Sequence, residues 1–333
     1  MRENNEDNIH LWPDEAYVVA VVADGMGGAA AGEEASRLAV ESIEQGLLIN
    51  GTSTGQPLLA LSDDHLSQKM REAVAAANLN IVRRAANEPE LRGMGTTVTL
   101  AFVRETHVLV AHVGDSRAYL ISGKSGDIDQ ITADHSFVEA LVAAGHLTQE
   151  QAEEHPMRNV LYRALGQHET VDVDIYSKAV NADDRLVLCS DGLTRHVKPA
   201  EIADVAHSES DPEIASQKLI DLANARGGED NVSVIVVKIE WDDPLEAMHK
   251  HDAMLADDDT QDVNAVDDED TVILQPLRTR TSPNLGGDKP ENVLLIDATL
   301  DPHSSNGDQQ GKTCEGHQPD SDGEGRDPLA QKQ

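Results

Sequence analysis

Val18-Val19-Ala20-Val21-Val22-Ala23-Asp24-Gly25-Met26-Gly27-Gly28 is the stretch from which the architecture can be read. Six aliphatic residues in a row, four of them valine, predict a strand buried on both faces. A carboxylate closes the run, and glycines follow it. The pattern recurs. Leu186-Val187-Leu188-Cys189-Ser190 ends at Asp191-Gly192, and Asp230 stands just before Val232-Ser233-Val234-Ile235-Val236-Val237. A carboxylate at the end of a buried strand is costly without a positive partner. No Lys or Arg is read as adjoining these positions, which leaves a bound cation as the simplest countercharge. Hard divalent ions such as Mg²⁺ or Mn²⁺ take carboxylate, carbonyl and water oxygens. The residues point to a metal-dependent hydrolase.

Around that strand, residues 30–48 and 63–86 carry apolar side chains at helical spacing, with a polar loop at 49–61 between them. Short strands are expected at 96–103, 107–113, 117–121, 171–176, 185–189 and 232–239. Helices are expected at 134–143, 149–154, 199–206 and 212–226. Two long helices, a group of strands, further helices and a final strand make an α+β pattern rather than βαβ alternation. Composition changes near residue 240. Beyond it lie Asp257-Asp258-Asp259, Asp267-Asp268-Glu269-Asp270 and many Gly, Ser, Asn, Pro and Gln. The expected organisation is a catalytic body at 1–240 and an acidic, largely disordered tail at 241–333.

The formal net charge of -35 argues against a nucleic acid or an anionic membrane as main partner. Aromatics make up only 2% of residues, so base-stacking platforms are also excluded and the core must be aliphatic. The same charge disfavours a two-metal nuclease, which would share the carboxylates but need basic residues for a polyanion. Cys189 and Cys314, the only cysteines, are poor disulfide candidates. With no apolar run of membrane-spanning length and no signal-peptide pattern, the expectation is a cytoplasmic monomer.

Several separated segments carry one signature in order. They are Arg2-Glu3-Asn4-Asn5-Glu6-Asp7, Asp24-Gly25-Met26-Gly27-Gly28, Gly95-Thr96-Thr97, Gly114-Asp115-Ser116-Arg117, Ser190-Asp191-Gly192 and Asp230-Asn231. Thr132-Ala133-Asp134-His135-Ser136 and Arg158-Asn159-Val160-Leu161-Tyr162-Arg163-Ala164-Leu165-Gly166 add to them. With these motifs the chain resembles the bacterial protein phosphatase 2C family of metal-dependent serine/threonine phosphatases. The resemblance covers nearly all of 1–240.

The resemblance implies a four-layer α-β-β-α sandwich, two antiparallel sheets flanked by helices, with a two-metal site at one end. Asp24 would bridge both ions, Asp191 and Asp230 would hold one, and the Gly25 carbonyl would touch the other. Glu6 and Asp7 would act through metal-bound waters, and Asp115 with Asp191 would form a place for a third ion. Arg2 would bind the substrate phosphate, where a guanidinium suits phosphate oxygens. The ions would be Mn²⁺ or Mg²⁺. Water would attack phosphorus in line without a covalent phosphoenzyme, so Cys189 is not read as a nucleophile and no cysteine-phosphatase loop is read around it. Substrates would be phosphorylated proteins, and the partner a serine/threonine kinase whose work is reversed.

Two departures from the pattern stand out. Met26 occupies the place of a histidine assigned as general acid in many eukaryotic relatives, leaving water or His135 to protonate the leaving group. Family chains also carry a strand before the arginine, so a longer native N-terminus is expected. Residues 134–166, with His135 and Ser136 at one end and Gly145 as a hinge, are expected to form a flap on the substrate side.

Overall fold

The structure, a computed structural model, describes residues 5–14, 16–49, 57–241, 293–294 and 298–299. Its first sheet is built on β2 (Tyr17–Met26), which pairs antiparallel with β1 (Asp7–Pro13) on one side and β4 (Val98–Arg104) on the other. Beyond β4 come β5 (His107–Val113) and β8 (Asp174–Ala179), and the two-residue β3 (Gly95–Thr96) joins the far end of β2. The second sheet runs β10 (Val234–Lys238), β9 (Arg185–Cys189), β6 (Arg117–Ile121) and β7 (Ile128–Gln130), also antiparallel.

Period-two alternation explains why these strands read as continuous aliphatic runs. In β2, Val19, Val21 and Ala23 face α1 (Ala29–Ile43) and α2 (Asp63–Asn87), while Ala20 and Val22 face the other sheet. In β9, Leu186 and Leu188 point between the sheets, and Val187 and Cys189 point toward α6 (Pro199–Ser208) and α7 (Pro212–Ala225). Each central strand is therefore covered on both faces, and the layers stack helix, sheet, sheet, helix. This is the expected four-layer α+β sandwich. Ser62 caps α2, its hydroxyl accepting from the His65 N–H, with Asp63 and Asp64 in the first turn where the helix dipole favours negative charge.

Several boundaries differ from the sequence reading. The strand expected at 171–176 lies three residues later, as β8. The helix expected from 134 begins at Phe137 as α3 (Phe137–Ala143), because the Ser136 hydroxyl accepts from the Glu139 N–H and so starts it there. α4 (Gln149–Glu153) follows, opened by a Thr148–Gln151 capping box. α5 (Asp191–Thr194), a single turn after β9, had no counterpart in the sequence reading. The expected tail falls almost wholly outside the described residues. Of it, Val293–Leu294 (β12) pairs with β11 (Glu240–Trp241), and Ala298–Thr299 (β13) lies beside β10.

Candidate metal centre

The register of the first hairpin places Asp7 directly opposite Asp24, at the ends of β1 and β2. Like charges facing each other across a strand pair are destabilising unless a cation or proton intervenes. Both ends are fixed by hydrogen bonds. The Asp24 N–H donates to Thr97 Oγ1 at 3.0 Å, and its carbonyl accepts from the Thr96 hydroxyl and the Thr97 N–H, each at 2.9 Å. The Asp7 carboxylate accepts from the Ser190 hydroxyl at 2.8 Å. Glu6, also buried, donates its N–H to Asn231 Oδ1 at 2.9 Å, and its carbonyl accepts from the Gly25 N–H at 3.1 Å. A Cβ on Gly25 would stand 2.2 Å from the Gly32 carbonyl oxygen and 2.5 Å from that of Glu6. Glycine at 25 is thus required by the approach of α1 and of Glu6, a packing reason that the sequence reading did not contain.

Two further carboxylates come from the second sheet. Asp191 opens α5 directly after β9, and Asp230 precedes β10. The two segments meet so closely that a Cβ on Gly192 would fall 2.0 Å from the Asn231 carbonyl oxygen. Ser190 ties the sheets together, since its Oγ also accepts from the Ser233 N–H at 3.0 Å while its proton goes to Asp7. Arg195 corrects the expectation that no base adjoins these carboxylates. One helical turn after Asp191, its Nη2 donates to Asp191 Oδ2 and its Nη1 to Asp230 Oδ2 at 2.7 Å. Residues four apart on a helical turn share a face, which is how a base distant from the aspartate in sequence comes to lie on it.

Five residues separate Cys189 from Arg195, the spacing of a cysteine-phosphatase loop, so the reading that no such spacing exists is also corrected. Geometry removes the chemistry instead. The Cys189 side chain is buried in β9, burial pushes its thiol up to about 12, and Arg195 is engaged with Asp191 and Asp230.

Asp115 sits in the turn between β5 and β6, held from both sides. Ser116 Oγ lies 2.7 Å from Thr97 Oγ1, and the Gly114 N–H donates to His135 Nδ1 at 3.0 Å. The His135 N–H returns a bond to the Gly114 carbonyl at 2.7 Å. With Nδ1 accepting, the ring proton is on Nε2, 3.1 Å from Asp174 Oδ2 and from Arg163 Nη1. His135 is 2% exposed, so it serves the Asp115 turn and not an open substrate face, contrary to expectation. Ser136 is likewise buried, as the cap of α3. Gly145, at φ +72°, ends α3 with open space around it. Arg2 lies outside the described residues.

The electrostatics follow from this crowding. Burial, then the charges of Asp191 and Asp230, push the Asp7 carboxyl up to about 7. Burial, then Asp191 and Asp134, push Asp115 up to about 8, against a lowering pull from Arg195 and Arg117. Asp24 rises well above the usual range, through burial and then the charges of Asp7, Asp191 and Asp115. Asp191 rises through burial and Asp230, with Arg195 opposing. Asp191 Oδ1 is a buried oxygen without a hydrogen-bond partner. Such a set is what a hard cation relieves: it supplies positive charge to several buried carboxylates and a ligand for the orphaned oxygen. Among the described residues, no three acidic, imidazole or thiol side chains are gathered tightly enough to cage an ion by themselves. Magnesium-type sites complete their shells with water, so the donor set fits that kind of ion.

The protein phosphatase 2C family profile matches residues 2–222. The serine/threonine phosphatase stp of Listeria welshimeri is 36% identical over 239 residues, which cover 72% of this chain and 91% of that protein. The PstP phosphatase of Mycobacterium tuberculosis is 39% identical over 241 residues, covering 72% of this chain and 43% of that protein. Among solved structures, Stp1 of Staphylococcus aureus superposes with a TM-score of 0.65 at 35% identity, over 72% of this chain and 91% of that one. The catalytic domain of PstP in complex with two manganese ions superposes with a TM-score of 0.59 at 36% identity, over 71% and 92%. On the profile match and on these relatives, the chain belongs to the protein phosphatase 2C family.

Proposed function

We propose that this chain is a metal-dependent protein serine/threonine phosphatase that hydrolyses phosphoserine and phosphothreonine and opposes a serine/threonine kinase. The observation that carries the reading is the convergence of Asp7 and Asp24, opposite each other in one sheet, with Asp191 and Asp230 from the other. When bound, two divalent ions, Mn²⁺ or Mg²⁺, supply an acidified water and offset charge on the phosphoryl oxygens. Asp24, held by Thr96 and Thr97, would serve both ions, and Asp191 and Asp230 would serve one. Glu6, Asp7 and the Gly25 carbonyl would flank them, and Asp115 with Asp191 would offer a third place. Ser190 holds Asp7 in orientation, and His135 holds the turn that carries Asp115. Arg2 is assigned the substrate phosphate. Protonation of the leaving group falls to solvent, because Met26 has no proton to give and the His135 nitrogens are engaged inside the protein.

Phosphate release from a phosphothreonine peptide is the test. Release should require Mn²⁺ or Mg²⁺, stop reversibly with chelator, and fall about a hundredfold or more in Asp24→Asn with the fold retained. Full activity in excess EDTA would sink the mechanism.

A further inference from the structure

The Asp191 and Asp230 carboxylates share a cation that belongs to the chain. Arg195 bridges them, and together they close a loop between the start of α5 and the segment before β10, 39 residues apart in sequence (230 − 191). Among the described residues, the Arg37–Glu41 pair, also four apart, joins two residues of one helix face. Arg195 instead spans two separate segments and feels the charges of Asp115 and Asp24 as well. Its guanidinium takes Asp191 Oδ2 and Asp230 Oδ2, while Asp230 Oδ1 accepts from the Asn231 N–H at 2.9 Å and Asp191 Oδ1 is left without a hydrogen bond. Any ion that drew on both Asp191 and Asp230 would therefore share them with the guanidinium, which already holds Oδ2 of each.

We infer that Arg195 is a tethered counter-ion that competes with one divalent ion for Asp191 and Asp230, and so sets how tightly that ion is held. The inference rests on the metal reading above. A guanidinium is charged at every working pH, and its planar fork matches two carboxylate oxygens at once. Beside a divalent ion it would meet repulsion at short range, so the ion and the guanidinium compete for the two carboxylates. The Arg195 side chain is 28% exposed, which leaves it a side open to water on which to swing away. Each state satisfies the carboxylates: the arginine at low metal, the ion at high metal.

The test is Mn²⁺ binding to the full chain, followed by electron paramagnetic resonance and calorimetry. Arg195→Gln and Arg195→Lys are compared with the parent, and circular dichroism confirms their fold. The parent should bind one ion more weakly than the other. In Arg195→Gln that weaker ion should bind roughly tenfold tighter, because no charged contact must first be given up. Arg195→Lys, which keeps the charge but cannot fork across both carboxylates, should fall between. In chelator, Arg195→Gln should melt below the parent, and with saturating Mn²⁺ the two should coincide. Unchanged or weaker binding of the second ion in Arg195→Gln would overturn the inference while leaving the metal reading standing. No Mn²⁺ binding by any of the three chains would overturn the metal reading and this inference with it.

Discussion

Asp7 and Asp115 show what a single buried carboxyl costs this fold. In an unfolded chain each titrates near 3.8, whereas in the folded one they sit at about 7 and about 8. A raised folded value means that the native state binds the proton more tightly. The stabilisation is complete below the unfolded value and is lost as pH rises through the folded one. In chelator, thermal stability should therefore decline from about pH 4 to about pH 8, and saturating Mn²⁺ should remove that decline. A melting-temperature gap between the two conditions that does not widen with pH would show that these groups are already balanced by the protein. Asp24, Asp191 and Asp230 were legible in the sequence because each ends or precedes an aliphatic run, whereas Asp7 and Asp115 came only with the family resemblance. Arg195 was not legible, since its neighbours depend on a one-turn helix and on a tertiary approach to Asp230. His135 was misread for a similar reason: its burial is decided by Gly114 and Asp174, 21 and 39 residues away.

Among the elements, the segment around α3 and α4 is closed at its base by bonds between its own two ends. The Phe137 N–H donates to the Val160 carbonyl at 2.8 Å, the Tyr162 N–H to the His135 carbonyl at 2.9 Å, and Ser136 pairs with Leu161. Met157, Val160 and Tyr162 are exposed there. Gly145 ends α3 in the left-handed region, with its N–H donating to the Val142 carbonyl at 2.9 Å. Gly145→Pro forces a negative φ and deletes that donor, so it should unseat the segment locally. Hydrolysis of a phosphopeptide should fall about tenfold, while a small aryl phosphate stays within about twofold. Equal losses on both substrates would mean general misfolding. The long helices and the aliphatic strands were plain in the sequence. A strand was expected through Glu6 and Asp7 from the resemblance, but Asn8-Ile9-His10-Leu11-Trp12 was not read as one from its own pattern, because it is half exposed and its apolar residues are too few to announce a strand. Its place is decided by pairing with β2.

For the molecule as a whole, the sandwich is held by aliphatic packing between and outside the sheets, and the described residues beyond Trp241 add only two-residue strand pairs. Such short pairings contribute little by themselves. A chain ending at Trp241 should keep its Mn²⁺-dependent rate on a small aryl phosphate within about twofold and lose under about 1 kcal/mol in urea unfolding. A collapse of either quantity would show that residues beyond 241 complete the second sheet through β13. The buried strands β2, β9 and β10 were readable from their aliphatic runs, whereas the four-layer arrangement came only with the family resemblance. The interleaving of strands between sheets was not readable, since it depends on pairings far apart in sequence.

That interleaving sets the order in which the protein can become active while it is being made. Asp7 and Asp24 leave the ribosome early, but their sheet lacks its last strand until β8 is synthesised. The second sheet begins with β6 and β7 and is incomplete until β9 pairs with β6 and β10 with β9. Asp230 comes last of the site carboxylates, immediately ahead of β10. A nascent chain interrupted before it lacks Asp230 and β10 and leaves the second sheet with an open strand edge, a species fit for chaperone capture or degradation.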